Sequence, residues 1–456
     1  MEQHIKPHDT LNVSIKRMGI NGEGIAYDQK LAIFVEGALP GEDVEIEIKE
    51  VFDNRATAIT KNVLKQSKSR SVPFCPVYET CGGCQTQHMA YETTLAHKRD
   101  IILQSFDRYM NPKPNPNVVK KAIGSANPTF YRNKASLPVQ KLRGKNVFGM
   151  YARNSNHFIP IDDCPIQHEL INQILKSCIL LMDQYQMDAM DPKTKKGYVR
   201  SIVVRVAMHT KEAQVSFIML KKSNRLDDVA KALMKKEKHV VSVYEVMNGD
   251  LKKPGFFTDE MELILGKDTI IEHLNNQTFI LKPEAFFQLN TEQADIFYKE
   301  MKRLAHLKKH EVAIDAYAGI APVSHYIAGD AKHVYAIEIE QQACESAKLS
   351  LKENKIDNVT VLHSDFKRAL SGLREKKIDV MFFDPPRVGL GEETINLIQK
   401  FKPSRLIYGS CNPSTLAKDL HILQKDYELI ETVPIDMFPY TSLVESVSLL
   451  ELKIKN

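Results

Sequence analysis

The chain has 456 residues, of which 43% are hydrophobic and 26% charged. These fractions are ordinary for a soluble protein, and the length allows two or three domains. A net charge of +5 does not by itself indicate nucleic-acid binding. No apolar run reaches membrane-spanning length, residues 1–10 are polar, and seven cysteines, an odd number, do not make a disulfide framework. A cytoplasmic protein is therefore expected.

Residues 1–62 are predicted to form a small β-barrel. Alternating apolar residues indicate strands at 11–15, 32–35 and 44–48. Gly-Glu-Gly-Ile-Ala at 22–26 and Phe-Val-Glu-Gly-Ala-Leu-Pro-Gly-Glu at 34–42 resemble the TRAM domain, an oligonucleotide-binding-type barrel of RNA-modifying enzymes. Barrels of this class bind nucleic acid on one face, although a purely structural cap also fits this glycine-rich pattern.

Three cysteines follow the predicted barrel at short spacing, Cys75, Cys81 and Cys84. Three thiols on a glycine-bearing loop can converge on one metal centre, and Cys164, which precedes a proline, is the expected fourth ligand. An iron-sulfur cluster and a zinc ion both fit four thiolates. The spacing differs from the Cys-x3-Cys-x2-Cys of radical enzymes, so no radical mechanism is predicted.

A basic segment runs from Lys98 to Arg153. It contains twelve lysines or arginines but only two acidic residues, and six phenylalanines or tyrosines are interleaved with them. Basic groups for phosphates among aromatic rings for stacking suit a single-stranded RNA. A solvated basic face would have the same composition, so this pattern alone leaves both interpretations open.

Residues 63–285 are predicted to form a central α/β domain. Strands are indicated at 201–206, 213–218 and 240–244, with a helix at 226–233. This domain carries no catalytic constellation of its own.

Residues 286–456 are predicted to be a doubly wound α/β domain. An amphipathic helix at 292–304 comes first, and from Val312 strands and helices alternate, which argues for a parallel sheet covered on both faces. Gly319 follows the first strand, where a glycine lets the backbone approach a ligand, and Glu338 ends the second, where an acid can bind ribose hydroxyls.

Cys411 lies on the turn between an apolar strand at 405–407 and a helix that begins near Pro413. Open α/β sheets place their chemistry at such strand ends. A lone cysteine is usually a small core residue. Polar neighbours and the field of the helix amino terminus, which favours a thiolate, instead make Cys411 a candidate nucleophile.

Three separated motifs occur in a characteristic order. They are Phe-Asp-Pro-Pro-Arg-Val-Gly at 383–389, Ser-Cys-Asn-Pro-Ser-Thr-Leu-Ala-Lys-Asp at 410–419, and Asp-Met-Phe-Pro-Tyr-Thr-Ser-Leu-Val-Glu at 436–445. Together they resemble the RNA uracil-C5 methyltransferase family, and the likeness covers nearly the whole chain. The resemblance implies a class I (Rossmann-like) methyltransferase domain that uses S-adenosylmethionine.

The resemblance also implies roles for individual residues. Cys411 would attack C6 of uracil, Glu445 would remove the C5 proton, and Asp384 would fix the base. The cofactor would be bound by Gln288, Tyr317, Gly319, Glu338, Asp365 and Asp384. A [4Fe-4S] cluster, with zinc as the alternative, would be held by Cys75, Cys81, Cys84 and Cys164. Arg132 and Lys134 would contact RNA.

Two departures from the family pattern stand out. Relatives commonly have Gly-x-Gly followed by Asn or Thr after the first strand, where this chain has Gly319-Ile320-Ala321-Pro322. We expect this loop to weaken S-adenosylmethionine binding without abolishing it. Leu443 stands where the family often has histidine, two positions before Glu445, which affects how the base is positioned.

The leading hypothesis is methylation of C5 of a uridine in 23S rRNA. The reacting base must leave its stack, so a loop or bulge is the expected target. The barrel and the cysteines resemble the ribosomal branch more than the tRNA branch, which makes tRNA the alternative substrate. A non-catalytic RNA-binding or ribosome-assembly protein, or a zinc-stapled RNA binder, is the alternative outside enzymes. No membrane and no obligate protein partner are implied.

Overall fold

The computed structural model describes residues 5–250, 256–373 and 376–454. Within these ranges, no helix is both long and apolar enough to cross a membrane. The strands form a six-stranded, a two-stranded and two seven-stranded sheets. The fold is therefore mixed α/β with several sheets, as predicted.

The six-stranded sheet forms the N-terminal barrel. Its strands are β1 (Thr10–Ser14), β2 (Arg17–Met18), β3 (Gly24–Asp28), β4 (Leu31–Glu36), β5 (Asp43–Phe52) and β6 (Arg55–Lys65). They are ordered β1-β5-β6-β4-β3-β2. The inward apolar positions of β4 and β5 meet in one core, since Ile33, Val35, Val44, Ile46 and Ile48 are fully buried. The three strands predicted here are confirmed.

The central domain is built on a mixed seven-stranded sheet ordered β13-β12-β11-β10-β7-β8-β9. Two helices, α2 and α3, pack against one face of it, because every fourth or third residue of each is apolar and buried. A helix, α1, precedes the sheet, and a hairpin, β14 and β15, follows it. The bounds are α1 (Tyr91–Tyr109), β7 (Lys134–Leu142), β8 (Lys145–Tyr151), β9 (Phe158–Pro160), α2 (Glu169–Gln184), β10 (Val199–Val206), β11 (Ala213–Met219), α3 (Leu226–Lys236), β12 (Val240–Met247), β13 (Met261–Gly266), β14 (Ile270–Leu274) and β15 (Gln277–Leu281).

The C-terminal sheet is ordered β18-β17-β16-β19-β20-β22-β21. Its first five strands are parallel, and β22 runs antiparallel to both neighbours. The strand order reverses between β16 and β19, the place where open α/β sheets bind ligands. The bounds are α4 (Thr291–Ala305), β16 (Val312–Ala316), α5 (Pro322–Ile327), β17 (His333–Glu338), α6 (Gln341–Glu353), β18 (Val359–His363), α7 (Phe366–Gly372), β19 (Val380–Phe383), α8 (Gly391–Phe401), β20 (Arg405–Ser410), α9 (Pro413–Leu423), β21 (Tyr427–Ile435) and β22 (Glu445–Leu452).

Helix α1 shares a core with the C-terminal sheet. Ile102 and Phe106 of α1 lie in the same buried cluster as Tyr408 of β20 and Leu416 and Leu420 of α9. The predicted boundary between residues 285 and 286 therefore does not separate two independent cores. The division into three domains stays a prediction.

Candidate active site

Three reactive side chains lie at one edge of the C-terminal sheet. Asp384 follows β19, Cys411 follows β20, and Glu445 is the first residue of β22. Because Ser410 pairs with Ser446 in the antiparallel ladder, Cys411 and Glu445 lie at the same end of adjacent strands. Neighbouring strands are about 4.8 Å apart. The structure thus brings together a thiol and two carboxyl groups beside the point where the strand order reverses.

The environment of Cys411 is less favourable to a thiolate than the sequence predicts. The side chain is half-buried, and this burial raises the pKa of its thiol to about 11, with Glu445 and Asp384 adding to the rise and Arg387 opposing it. Desolvation and two nearby carboxyl groups raise the pKa of the thiol although Cys411 lies at the amino terminus of α9, whose field favours a thiolate.

Glu445 is a buried acid, with only 5% of the residue exposed. Burial and the nearby Asp384 raise its pKa well above the ordinary value, while Arg387 and Lys98 oppose the rise. Burial alone raises the pKa of Asp384 to about 6. Asp384 can therefore hold or release a proton near neutral pH, and Glu445 keeps its proton to higher pH than an ordinary glutamate.

The motif around Cys411 locks two loops together. Asn412 Nδ2 and Thr415 Oγ1 donate to the carbonyl oxygen of Arg387 at 3.0 and 3.2 Å. One carboxylate oxygen of Asp419 accepts from the Leu390 amide at 2.8 Å and from the Tyr408 hydroxyl at 2.6 Å. The polar residues of the motif thus fix the loop after β19 against the loop after β20, a role that the sequence analysis did not assign.

The cofactor residues predicted from the resemblance lie at the same edge of the sheet. Glu338 ends β17, and its carboxylate accepts from the Gly319 amide at 2.7 Å, which ties two strand-end loops together. Tyr317 stacks on Phe366 with ring centroids 6.2 Å apart. Asp365 is exposed and caps α7.

Gln288 lies apart from these strand ends in sequence, in the segment before α4. It is buried, and its backbone carbonyl oxygen accepts from Asn133 Nδ2 at 2.9 Å. The central domain therefore holds the backbone of the segment that carries Gln288.

The sequence analysis missed Asp315 as a site residue. It is buried at the end of β16 and accepts from the amide and hydroxyl of Ser324 at 2.9 and 2.6 Å. Burial raises its pKa to about 7, and Asp384 and Glu338 add to the rise. Asp315 is therefore an electrostatic neighbour of the predicted cofactor residue Glu338 and of the candidate catalytic residue Asp384. Its position at the end of the first strand was the available signal.

The departure at residues 319–322 has a structural consequence. Ala321 is fully buried and has φ 61°, in the left-handed region that disfavours residues with a Cβ. Pro322 begins α5, where its missing amide hydrogen is tolerated. The loop thus carries backbone strain at the position where relatives commonly have glycine.

Replacing Ala321 with glycine is expected to relieve this strain. The matched control is Ala328→Gly, because Ala328 is also buried but has φ −51°. Both changes remove a buried methyl group, and only the first removes a left-handed alanine. We expect Ala321→Gly to be the more stable variant by about 1 kcal/mol in the free energy of unfolding. Equal losses in the free energy of unfolding for the two variants, measured by denaturant titration, would show that Ala321 is not strained.

The four predicted metal-binding cysteines line one pocket. Cys75, Cys81, Cys84 and Cys164 surround it together with apolar side chains, including Met150. Burial raises the pKa of Cys84 to about 12, and the other three thiols add to the rise, so the four are electrostatic neighbours. Among the residues described, however, no three histidine, cysteine or acidic side chains are grouped closely enough to hold a metal ion.

The two predicted RNA-contact residues have different environments. Arg132 is half-buried at the rim of the cysteine pocket. Lys134 points inward, with Nζ 5.0 Å from the centre of the Phe257 ring and 3.4 Å from the carbonyl oxygen of Pro283. Burial and the nearby Arg205 lower its pKa to about 6. Lys134 is half-buried, like Arg132, and engages groups of the protein, and its contact with RNA stays a prediction.

Two family models match the chain. One, described as tRNA (Uracil-5-)-methyltransferase, matches residues 90–453, and the other, described as TRAM domain, matches residues 7–60. An uncharacterized RNA methyltransferase of Bacillus anthracis is 36% identical, with 99% of each chain covered. One of Listeria monocytogenes is 37% identical, with 97% of each covered.

Among solved structures, the chain resembles the tRNA (uracil-54, C5)-methyltransferase of Pyrococcus abyssi in complex with S-adenosyl-L-homocysteine. The TM-score is 0.75 at 23% identity, and the likeness covers 96% of this chain and all of the other. A likeness of this extent includes the N-terminal barrel. A structure named as a tRNA methyltransferase thus shares the barrel, and the choice between rRNA and tRNA stays a prediction.

Proposed function

We propose that this chain, which belongs to the tRNA (uracil-5-)-methyltransferase family, methylates C5 of a specific uridine in 23S rRNA through a covalent bond between Cys411 and the base. It is an S-adenosylmethionine-dependent RNA uracil-5-methyltransferase, and the rRNA target and the residue roles are the proposal. The observation that carries the covalent chemistry is the position of Cys411, Asp384 and Glu445 at one edge of adjacent strands.

The proposed reaction begins with addition of the Cys411 sulfur to C6 of uracil. The electrons of the C5–C6 double bond move toward the carbonyl at C4, which makes C5 nucleophilic, and splitting one hard step into easier ones is the gain from covalent catalysis. Bound S-adenosylmethionine supplies the methyl group that C5 takes up. Because the free thiol has a pKa of about 11, its proton must leave as the bond to C6 forms, and the carboxylate of the neighbouring Asp384 is proposed to accept it.

Glu445 is proposed to complete the reaction as the general base. Its carboxylate takes the C5 proton, the C5–H electrons form the C5–C6 double bond, and the C6–sulfur bond breaks to release Cys411. Asp384, which lies near both groups, is proposed to hydrogen-bond the uracil edge. An amino-group methyltransferase, which has a similar Asp-Pro-Pro motif, would need neither Cys411 nor Glu445.

The predicted cofactor residues fit one side of this site. Gly319, Tyr317 and Glu338 lie at the ends of β16 and β17, and Asp365 follows β18, so that all four belong to the half of the sheet beside the order reversal. We propose that Glu338 binds the ribose hydroxyls and that Gln288, Asp384 and the strand-end loops hold the rest. The strained Ala321-Pro322 loop is expected to weaken this binding, and a titration showing no binding by the folded protein would contradict that view.

The four cysteines are proposed to hold a [4Fe-4S] cluster, with zinc as the alternative. Their convergence on one pocket supports a shared group. Thiolates on a single zinc ion lie about 4 Å from one another, whereas those on a cluster are farther apart. Among the described residues no group of side chains is close enough to hold a metal ion, so the preference for the cluster over zinc rests on the family resemblance.

We expect protein purified without oxygen to contain about four iron atoms per chain and a broad visible absorption band. Cys84→Ser should lose most of both, because Cys84 lies among the other three thiols. Cys178→Ser, in the core of the central domain, is the matched control and should keep both. One zinc ion per chain and no iron would show that the cysteines hold zinc and not a cluster.

RNA contacts are proposed for the barrel and for Arg132. RNA contact is also proposed for Lys134, whose contact with the carbonyl oxygen of Pro283 in addition supports the segment before Gln288. The barrel no longer favours rRNA, so the choice of 23S rRNA rests on the cysteine pattern. An RNA substrate and seven unpaired cysteines fit a cytoplasmic location.

The experiment that tests the proposal is methyl transfer from labelled S-adenosylmethionine to unmodified 23S rRNA and to tRNA, followed by mass mapping. We expect 5-methyluridine at one site in 23S rRNA. Product only in tRNA would make the tRNA alternative correct. No product in either RNA, with RNA still bound, would favour a non-catalytic RNA-binding protein. Ala321 and Pro322 would then be the first residues to replace with those of the family pattern.

A further inference from the structure

Lys98 is a buried lysine to which the proposed reaction assigns no role. It lies in the middle of α1, and only 1% of the residue is exposed. A lysine ammonium has three donors, and a buried one is costly unless these are satisfied. Here Nζ donates to a carboxylate oxygen of Asp436, to the carbonyl oxygen of Phe438 at 3.0 Å and to that of Leu443 at 2.7 Å.

All three acceptors belong to the loop between β21 and β22, residues 436–444. Asp436 and Phe438 lie in the arm that leaves β21, whereas Leu443 lies in the arm that enters β22 two residues before Glu445. One ammonium group thus joins both arms of the loop that ends at Glu445. Asp436 is itself fully buried and also accepts from the Tyr91 hydroxyl at 2.8 Å, so α1 holds the loop through two side chains.

The contact with Leu443 lies next to the proposed base in the sequence. Leu443 stands two residues before Glu445, and its side chain has no polar group that could support the base. In this chain the backbone carbonyl of Leu443 is instead fixed from α1. The polar support next to Glu445 therefore comes from a helix more than 300 residues earlier in the sequence.

We propose that Lys98 is a positioning residue that holds Glu445 in place for removal of the C5 proton. This inference rests on the proposed function. The step it affects is the last one, in which the Glu445 carboxylate takes the C5 proton and the C6–sulfur bond breaks. Addition of Cys411 and methyl transfer precede that step and do not use Glu445 as a base, so Lys98 affects them only through the charge that Glu445 presents to the thiol.

The charge of Lys98 acts in the same direction as its contacts. Burial and Asp384 raise the pKa of Glu445, and Arg387 and Lys98 lower it; the Cys411 thiol faces the same space. A general base must be ionised to act. Removing the ammonium is therefore expected to shift resolution of the covalent adduct to higher pH.

The test compares Lys98→Met with wild type in two assays on the RNA that the wild-type protein methylates. With 5-fluorouridine in that RNA the adduct cannot lose a proton and accumulates, so its rate reports addition and methyl transfer alone. With uridine, release of methylated RNA reports resolution. We expect Lys98→Met to trap 5-fluorouridine RNA within about 3-fold of the wild-type rate, and to release uridine product at least about 10-fold more slowly, with its pH profile moved upward.

Two further variants separate positioning from folding. Lys98→Arg keeps the charge and should recover part of the release rate, and Asp436→Asn should slow release without slowing trapping; either can be measured if Lys98→Met does not fold. Arg108→Met, which removes an exposed cation from the same helix, is the control and should behave as wild type. Equal losses in both assays, or an unchanged release rate and pH profile, would overturn the proposal. A wild-type protein that forms no adduct would overturn the proposed function itself.

Discussion

Cys411→Ala is expected to abolish both methyl transfer and the covalent protein–RNA complex. Without the sulfur, C5 of uracil is not activated, and loss of a nucleophile that acts as part of a catalytic unit removes at least about 10³-fold in rate. The measurement is incorporation of labelled methyl groups into RNA beside detection of the denaturation-resistant complex on gels.

A second cysteine provides the control for this prediction. Cys178 is buried in the core of the central domain, away from the candidate site. Cys178→Ala makes the same chemical change as Cys411→Ala and therefore tests general damage to the protein. It is expected to lower stability and to keep activity. Methyl transfer by Cys411→Ala at more than a few per cent of the wild-type rate would rule out the covalent route.

Glu445→Gln is expected to stop the reaction after methyl transfer. The amide has the shape of the carboxylate but cannot accept the C5 proton, and loss of a general base costs about 10²- to 10⁴-fold. Methylated RNA bound to Cys411 should therefore accumulate, whereas Cys411→Ala accumulates none. Mass spectrometry of a digested complex would identify the methylated nucleotide on the Cys411 peptide.

The pH dependence of this step has a defined sign. The pKa of Glu445 is raised, so its carboxylate form increases as the pH rises above the ordinary glutamate range. Product release by the wild-type protein should rise with pH over that window, and Glu445→Gln should lose this dependence. Glu451→Gln, at an exposed position of the same strand, is the control. A normal release rate in Glu445→Gln would show that another group is the base.

The sequence predicts the elements of the C-terminal domain well, because their signals are local. Apolar runs followed by helical periodicity correctly indicate the parallel strands and α4. The position of Cys411 after a strand follows from the same pattern. The insertion of β22 between β20 and β21 cannot be predicted this way, because strand pairing depends on contacts between distant segments.

The basic segment shows that composition alone does not identify an RNA-binding surface. Lys98, Arg99 and Lys134 belong to the twelve cations that suggest an RNA surface, yet Lys98 and Lys134 are turned into the protein and Arg99 donates to two backbone carbonyls. Their acceptors include residues more than 300 positions away, so no local pattern distinguishes a buried lysine from a solvated one. The raised pKa of Cys411 could not be predicted for a similar reason. The two carboxyl groups that help to raise it, Asp384 and Glu445, come from other strands.

The core shared by α1 and α9 has a consequence for the order in which the protein is made. During translation α1 emerges about 300 residues before α9 and β22, so the apolar side chains of Ile102 and Phe106 have no permanent partner for most of synthesis. At roughly 5–20 residues per second this interval lasts some tens of seconds. If Glu445 is the base, a nascent chain cannot complete the reaction before β22 has been added, and chaperones have a long window in which to bind α1.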